Sequence, residues 1–269
     1  LRSVAVTDGT VQSVGVSGTG ARDLAVHGDL VAAVSDDRVT LLRIDLQSGG
    51  LNHLGEISGS YNGAAFYGGS IYLLAGSNGI DRYRLDFRDA VSSWTPIDTV
   101  LTSNAQDIVF ANNYAYLADG GAGVRTLRLL PTGALENIGT TFLVGSATQI
   151  SRSRNRLLVT SDDGTLFRVL SIADAENPAL SAADSIFRLP IPQSGSEGIV
   201  GSVYVGDIAY VSIDGYGVVA VDLKDPERPV WVSGLVVEPT TGNLGDLVPY
   251  RARLLLATGA DGILELVVE

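Results

Sequence analysis

A chain of 269 residues, 45% hydrophobic but only 7% aromatic, has room for one large domain or two small ones with a sizeable core. Its formal charge of −12 repels phosphate backbones and anionic lipid, so neither nucleic acid nor a membrane surface is an expected partner. The absence of Cys excludes disulfides and thiolate chemistry.

The chain starts at Leu1 and contains no Met, so it is expected to be a processed form or a section of a longer product. No apolar run approaches the roughly 18 residues of a membrane helix, so direct membrane insertion is not expected, and no signal peptide is visible. From the N-terminus, LRSVAVT (1–7) and VQSVGVSG (11–18) read as short strands around a TDGT turn. Six hairpins then follow in order: HGDLVAAVS, YGGSIYLLAG, ANNYAYLAD, RNRLLVTSD, VGDIAYVSID and YRARLLLATG. With Ala32, Tyr72, Tyr116, Leu158, Tyr210 and Leu255 as equivalents, the spacings are 40, 44, 42, 52 and 45 residues.

A short apolar strand precedes each hairpin (DLAV, AAF, DIVF, QIS, SVYV, DLVP), and a third strand follows a turn rich in Asp, Asn or Gly. The first five third strands lead to a fourth: NHLGEIS, WTPIDTV, ALENIGTTF, ALSAADSIF and PVWVSGLVV. Four antiparallel strands per ~40–45 residues is the period of a propeller blade, whose faces are buried only by stacking on neighbours. No window carries an apolar stripe at helical spacing between caps. The expected architecture is therefore an all-β, six-bladed β-propeller of four-stranded antiparallel blades, forming a single domain over 1–269. Its blades fall at about 21–60, 61–103, 104–145, 146–194, 195–240, and 241–269 plus 8–20.

The sixth repeat ends at its third strand, and VQSVGVSG is expected to close the ring as the missing fourth. Residues 1–7 then either form an extra outer strand through the TDGT turn or displace that assignment by one strand.

The stretch GVVAVDLKDPERPV (217–230) resembles the signature of LVIVD-repeat proteins, a hydrophobic strand ending in Asp before an Asp-Pro-x-x-Pro turn. The fourth repeat keeps part of this pattern in LSIADAENPAL. The resemblance implies a β-propeller of large secreted or surface-attached microbial proteins, hence an extracellular or cell-surface location, and no catalytic residues. Read as residues, Asp222, Asp225 and Glu227 serve turn geometry and solubility.

Catalytic motifs are missing. The two histidines, His27 and His53, fall on different strands of one repeat, and no HExxH, P-loop or GxSxG occurs. Asp23, Asp107 and Asp246 occupy one repeat position, at the start of the first strands of repeats 1, 3 and 6. Asp36, Asp37, Asp119, Asp162, Asp163, Asp214 and Asp261 are expected on turns of the same face. Such a face suits Ca²⁺ at Asp23, Asp107 and Asp246, or carboxylates that cap their own turns.

The opposite face receives SRSRNR and YRAR, with Arg152, Arg154, Arg156, Arg251 and Arg253 as candidate contacts for an acidic partner. Repeat 4 is the longest; its excess, Ser185 to Gly201, carries Phe187, Leu189 and Ile191 as an apolar contact or channel cover. The expected function is a non-catalytic binding or structural module of a larger exported protein, contacting another protein or a neighbouring domain of the same polypeptide. The alternatives are a metal-assisted, lactonase-like hydrolase using the axial carboxylates, and a lectin-like module. Trp94 and Trp231 both fall on outer strands and offer the last of these no sugar platform in every blade.

Overall fold

The computed structural model describes residues 2–7, 10–15, 21–45, 51–85, 95–143, 145–161, 166–180, 186–188, 198–226, 228–236, 244–250, 253–258 and 263–267. All regular elements among them are strands. An N-terminal hairpin is formed by β1 (Arg2–Thr7) and β2 (Thr10–Gly15). Blade 1 is β3 (Asp23–His27), β4 (Leu30–Val34), β5 (Arg38–Ile44) and β6 (Leu51–Ser58). Blade 2 is β7 (Gly63–Tyr67), β8 (Ser70–Leu74), β9 (Ile80–Arg84) and β10 (Thr95–Val100). Blade 3 is β11 (Asp107–Ala111), β12 (Tyr114–Ala118), β13 (Val124–Leu129) and β14 (Leu135–Thr141).

In blade 4, β15 (Ala147–Ser153), β16 (Arg156–Ser161) and β17 (Leu166–Ser171) are followed by a divided outer strand. Its two pieces, β18 (Ala179–Leu180) and β19 (Ile186–Arg188), both pair with β17. Blade 5 is β20 (Ile199–Val205), β21 (Ile208–Ile213), β22 (Gly217–Asp222) and β23 (Val230–Val236). A sixth sheet has three strands, β24 (Leu247–Tyr250), β25 (Arg253–Ala257) and β26 (Ile263–Val267). The fold is thus all-β, with four-stranded antiparallel blades in a propeller arrangement.

Two expectations are corrected. Five blades, not six, carry a complete ladder among the described residues. The segment expected to close the sixth, beginning at Val11, pairs with β1 instead, and it is β1 that lies against β26. A hairpin satisfies its own backbone groups over six pairs without needing the ring, which explains why the local partner wins.

The core lies between blades, because each sheet is apolar on both faces and buries both. Along the second strands the pattern is continuous: β4 and β8 are buried at all five positions. Taking the residue four before each first-strand end, Asp23, Gly63, Asp107, Gln149, Gly201 and Asp246 are equivalent. The residue two further on faces the next blade and the residues one and three further on face the preceding one, as the apolar clusters show. Ala25 packs with Ala64 and Phe66, Val109 with Ile150, and Val203 with Leu247.

The pairing also reveals a shared irregularity. In blades 1, 2, 3 and 5 the outer strand holds one residue skipped by the ladder: Leu54, Ile97, Ile138 and Val232. Each kinks the outer strand at the same level. Among the described residues only blades 4 and 5 have a comparable skip in the first strand, at Thr148 and Val200.

Candidate functional site

Axial carboxylates are where the sequence placed the most chemistry. Asp23 and Asp246 are buried, at 9% and 8% exposure, and Asp107 is partly so. Their oxygens are engaged by backbone. The amide of Ala64, in the following blade, donates to Asp23 Oδ2 at 2.9 Å. The amide of Ile150, again in the following blade, donates to Asp107 Oδ2 at 2.7 Å, while the Ile108 amide donates to Oδ1 at 2.7 Å. Asp246 accepts from its own neighbour Leu247 and hydrogen-bonds the Asp23 carboxyl.

The equivalent glycines make this approach sterically feasible. A Cβ on Gly63 would sit 3.1 Å from Asp23 Oδ2, and one on Gly201 only 2.5 Å from Asp246 Cα and 2.6 Å from its Oδ1. Two of the three acids therefore tie one blade's first strand to the next.

Burial dominates their acidity. Loss of solvation pushes Asp23 up to about 6, against the opposing pull of the Ala64 amide, the Asp246 side chain, the Leu24 amide and Arg22. It pushes Asp107 up to about 7, helped by the negative charge of Asp23. Asp246 is held well above the ordinary range by burial and then by Asp23 and Asp107. Closely spaced carboxyls in a dry site cannot all ionise, so protons are shared among them.

Acids of the surrounding turns are also committed. Asp119 is fully buried and accepts from the Ser103 and Asn104 amides, at 2.9 and 2.7 Å through Oδ1, and from Arg125 Nε at 2.8 Å through Oδ2. Asp214 accepts from the Leu244 amide at 3.1 Å, fixing the entry to the sixth sheet. Asp36 and Asp37 are exposed and pair with Arg22 and Arg38, while Asp162, Asp163 and Asp261 lie outside the described residues. No group of three metal-ligating side chains converges among the described residues, Asp23, Asp107 and Asp246 included.

Expected basic contacts prove to be joints between blades. Arg152 donates to Phe110 O of blade 3 at 3.1 Å, and Arg156 to Leu223 O of blade 5 at 3.0 Å. Arg154, in a left-handed turn at φ 53, faces Asp207 at 3.6 Å. Arg253 sits in β25, across blade 5 in chain order from the blade 4 arginines, and Arg251 lies outside the described residues. Of the long excess in blade 4, Phe187 falls in β19 opposite Phe167, so its first part is outer strand; Leu189 and Ile191 lie outside the described residues.

Of the motif carboxylates, Asp222 acts in its turn, accepting from the Lys224 amide through Oδ1 at 2.7 Å. The turn is closed by the Arg228 amide donating to the backbone carbonyl of Asp225 at 3.0 Å, and Glu227 lies outside the described residues. In blade 4 the matching turn has Glu176 N and Asn177 Nδ2 bonded to Asp174. Sequence reading had missed Gln149, Gly63 and Gly201, which share the axial level with the aspartates; aligning all six repeats at that position exposes them.

No protein-family model and no curated protein matches the sequence. Solved structures do match, and the class they define is the β-propeller. A 6-phosphogluconolactonase homologue from Bacteroides uniformis superimposes with a TM-score of 0.69 at 14% identity, covering 93% of this chain and 81% of that one. The β-propeller domain of Cps50 (Swd1) from Myceliophthora thermophila gives 0.65 at 14%, over 96% and 87%. The periplasmic gluconolactonase of Pseudomonas aeruginosa gives 0.63 at 18%, over 89% and 78%. At such identities the likeness extends to the fold alone.

Proposed function

We propose that this chain is a non-catalytic binding propeller of the LVIVD-repeat type, in a larger exported or cell-surface protein. In this reading it has six blades, the sixth completed by the N-terminal hairpin through β1. The observation that carries the binding role is the outer strand of blade 5. Val230, Val232, Leu235 and Val236 are each more than half exposed there.

In blades 1 to 4 the outer strands of three or more residues carry a charge or a proline: Glu56 in β6, Pro96 and Asp98 in β10, Glu136 in β14, Arg188 in β19. β23, VWVSGLV, carries neither. Exposed edges are normally blunted by such residues, so an unblunted one suits strand addition by a partner polypeptide, a separate protein or a neighbouring domain.

The axial carboxylates support the non-catalytic half of the reading, because backbone amides occupy Asp23 and Asp107. Their raised pKa values are the feature that favours a lactonase-like hydrolase instead. Two measurements test the reading. A fluorescent peptide copying Val230–Val236 is expected to bind, and to lose at least tenfold in affinity when Leu235→Lys is introduced in the protein. Turnover of any member of a lactone panel, abolished by Asp107→Asn, overturns the non-catalytic assignment.

A further inference from the structure

Five of the six contacts between neighbouring first strands are apolar on both sides. The pairs are Ala25 with Ala64, Ala65 with Ile108, Val109 with Ile150, Val203 with Leu247 and Val248 with Leu24. The contact between blades 4 and 5 departs from this rule. Ile150 packs towards blade 3, so Gln149 and Ser151 turn towards blade 5. Val203 packs towards the sixth sheet, so Ser202 and Tyr204 turn towards blade 4, and Tyr204 joins Leu158 and Phe167 there.

Ser151, Ser202 and Tyr204 are 6%, 5% and 3% exposed. Their three hydroxyls, together with Gln149 Oε1, are buried without a hydrogen-bond partner. The same two first strands are the ones skipped at Thr148 and Val200, immediately before Gln149 and Gly201. Polar residues and backbone irregularity therefore coincide in one seam.

Leaving four such atoms dry costs roughly 1–3 kcal/mol each, which a folded protein avoids. The four orphaned groups are all neutral, and the charged groups of this joint, Arg154, Arg156 and Asp207, are engaged at its rim. Three hydroxyls both donate and accept, and one amide oxygen only accepts, so the matching ligand is small, uncharged and able to do both. We propose that the seam between blades 4 and 5 is a buried hydration site, in which ordered water bridges Gln149, Ser151, Ser202 and Tyr204 beside the propeller axis. Among the described residues only this seam has an irregularity in both of its first strands, and together the two supply the room for water. This inference is independent of the binding reading above, which concerns the opposite, outer edge of blade 5.

A high-resolution crystal structure of the whole chain, with thermal unfolding of Tyr204→Phe, tests it. The expected result is at least one ordered water within 3.2 Å of two or more of the four atoms. Removing a hydroxyl that water satisfies is expected to lower the melting midpoint of Tyr204→Phe by roughly 2–4 °C. A seam free of water, or Tyr204→Phe melting at or above the parent protein, overturns the proposal, since a dry, unpaired phenol is better replaced by a ring without it.

Discussion

The seam between blades 2 and 3 and the seam between blades 4 and 5 are built on the same strand template and solved in opposite ways. In the first, Tyr67 stacks on Phe110 with ring centroids 4.6 Å apart, and Tyr72 tilts against the same ring at 4.8 Å. The polar ends find backbone: Tyr67 Oη donates to Asn112 O and Tyr72 Oη to Gly133 O, both at 2.7 Å. Arg82 holds Asp98 through Nε at 2.8 Å and Thr132 O through Nη1 at 2.6 Å. In the second seam Ser151, Ser202 and Tyr204 stand where Ala65, Ile108 and Phe110 stand in the first, and their hydroxyls are unpaired by protein. Ser153, the equivalent of Tyr67, still donates to Gly206 O at 2.6 Å. Blade shape is therefore set by strand length and register, while seam chemistry is free to vary. Cohesion between blades is local.

That contrast makes unequal mutational costs the natural test. The largest effect is expected from Arg125→Ala, at the entry to blade 3. Asp119 would lose its cation while remaining fully buried, at a cost of about 3 kcal/mol in chemical denaturation, whereas Arg125→Lys recovers part of it. Phe110→Ala removes the ring on which both tyrosines rest and is expected to cost slightly less, about 2.5 kcal/mol because Phe110 is only half-buried.

A smaller effect comes from pH. Asp23, Asp107 and Asp246 all have folded-state pKa values raised above the ordinary 3.8, so the folded protein retains protons that the unfolded chain releases. The stability they contribute is complete below about pH 4 and is lost as pH rises through 6 to 7. Melting midpoints are expected to fall between pH 5 and pH 8 by the equivalent of on the order of 2 kcal/mol. Asp107→Asn should flatten that slope; an unchanged slope would show that the axial acids are not its source. The smallest effect is expected from Ser151→Ala in the polar seam, within about 1 kcal/mol, because a water can replace the lost partner. A cost equal to that of Phe110→Ala would erase the distinction between the two seams.

Period and strand order were legible because hairpins such as YGGSIYLLAG and VGDIAYVSID repeat the same apolar run and turn. The equivalence of Asp23, Asp107 and Asp246 was legible for the same reason. Closure was not. LRSVAVT and VQSVGVSG have nearly identical patterns, and only backbone pairing distinguishes the strand beside β26 from the one outside it. The role of Arg152 and Arg156 was hidden because a carbonyl acceptor in the neighbouring blade leaves no trace in composition. Ser151 and Ser202 looked ordinary in strands of mixed character. Their meaning depends on which blade each residue faces, and that follows from packing of their neighbours Ile150 and Val203.

The skipped residues of the outer strands have a consequence for behaviour in solution. Val232 divides β23 into short runs on either side of it, so an incoming segment can pair straight along only a few residues before the edge turns away. The proposed strand addition would therefore leave no flat template for a further strand. An apolar edge broken in this way is a short template for fibre growth, unlike a flat edge of the same composition.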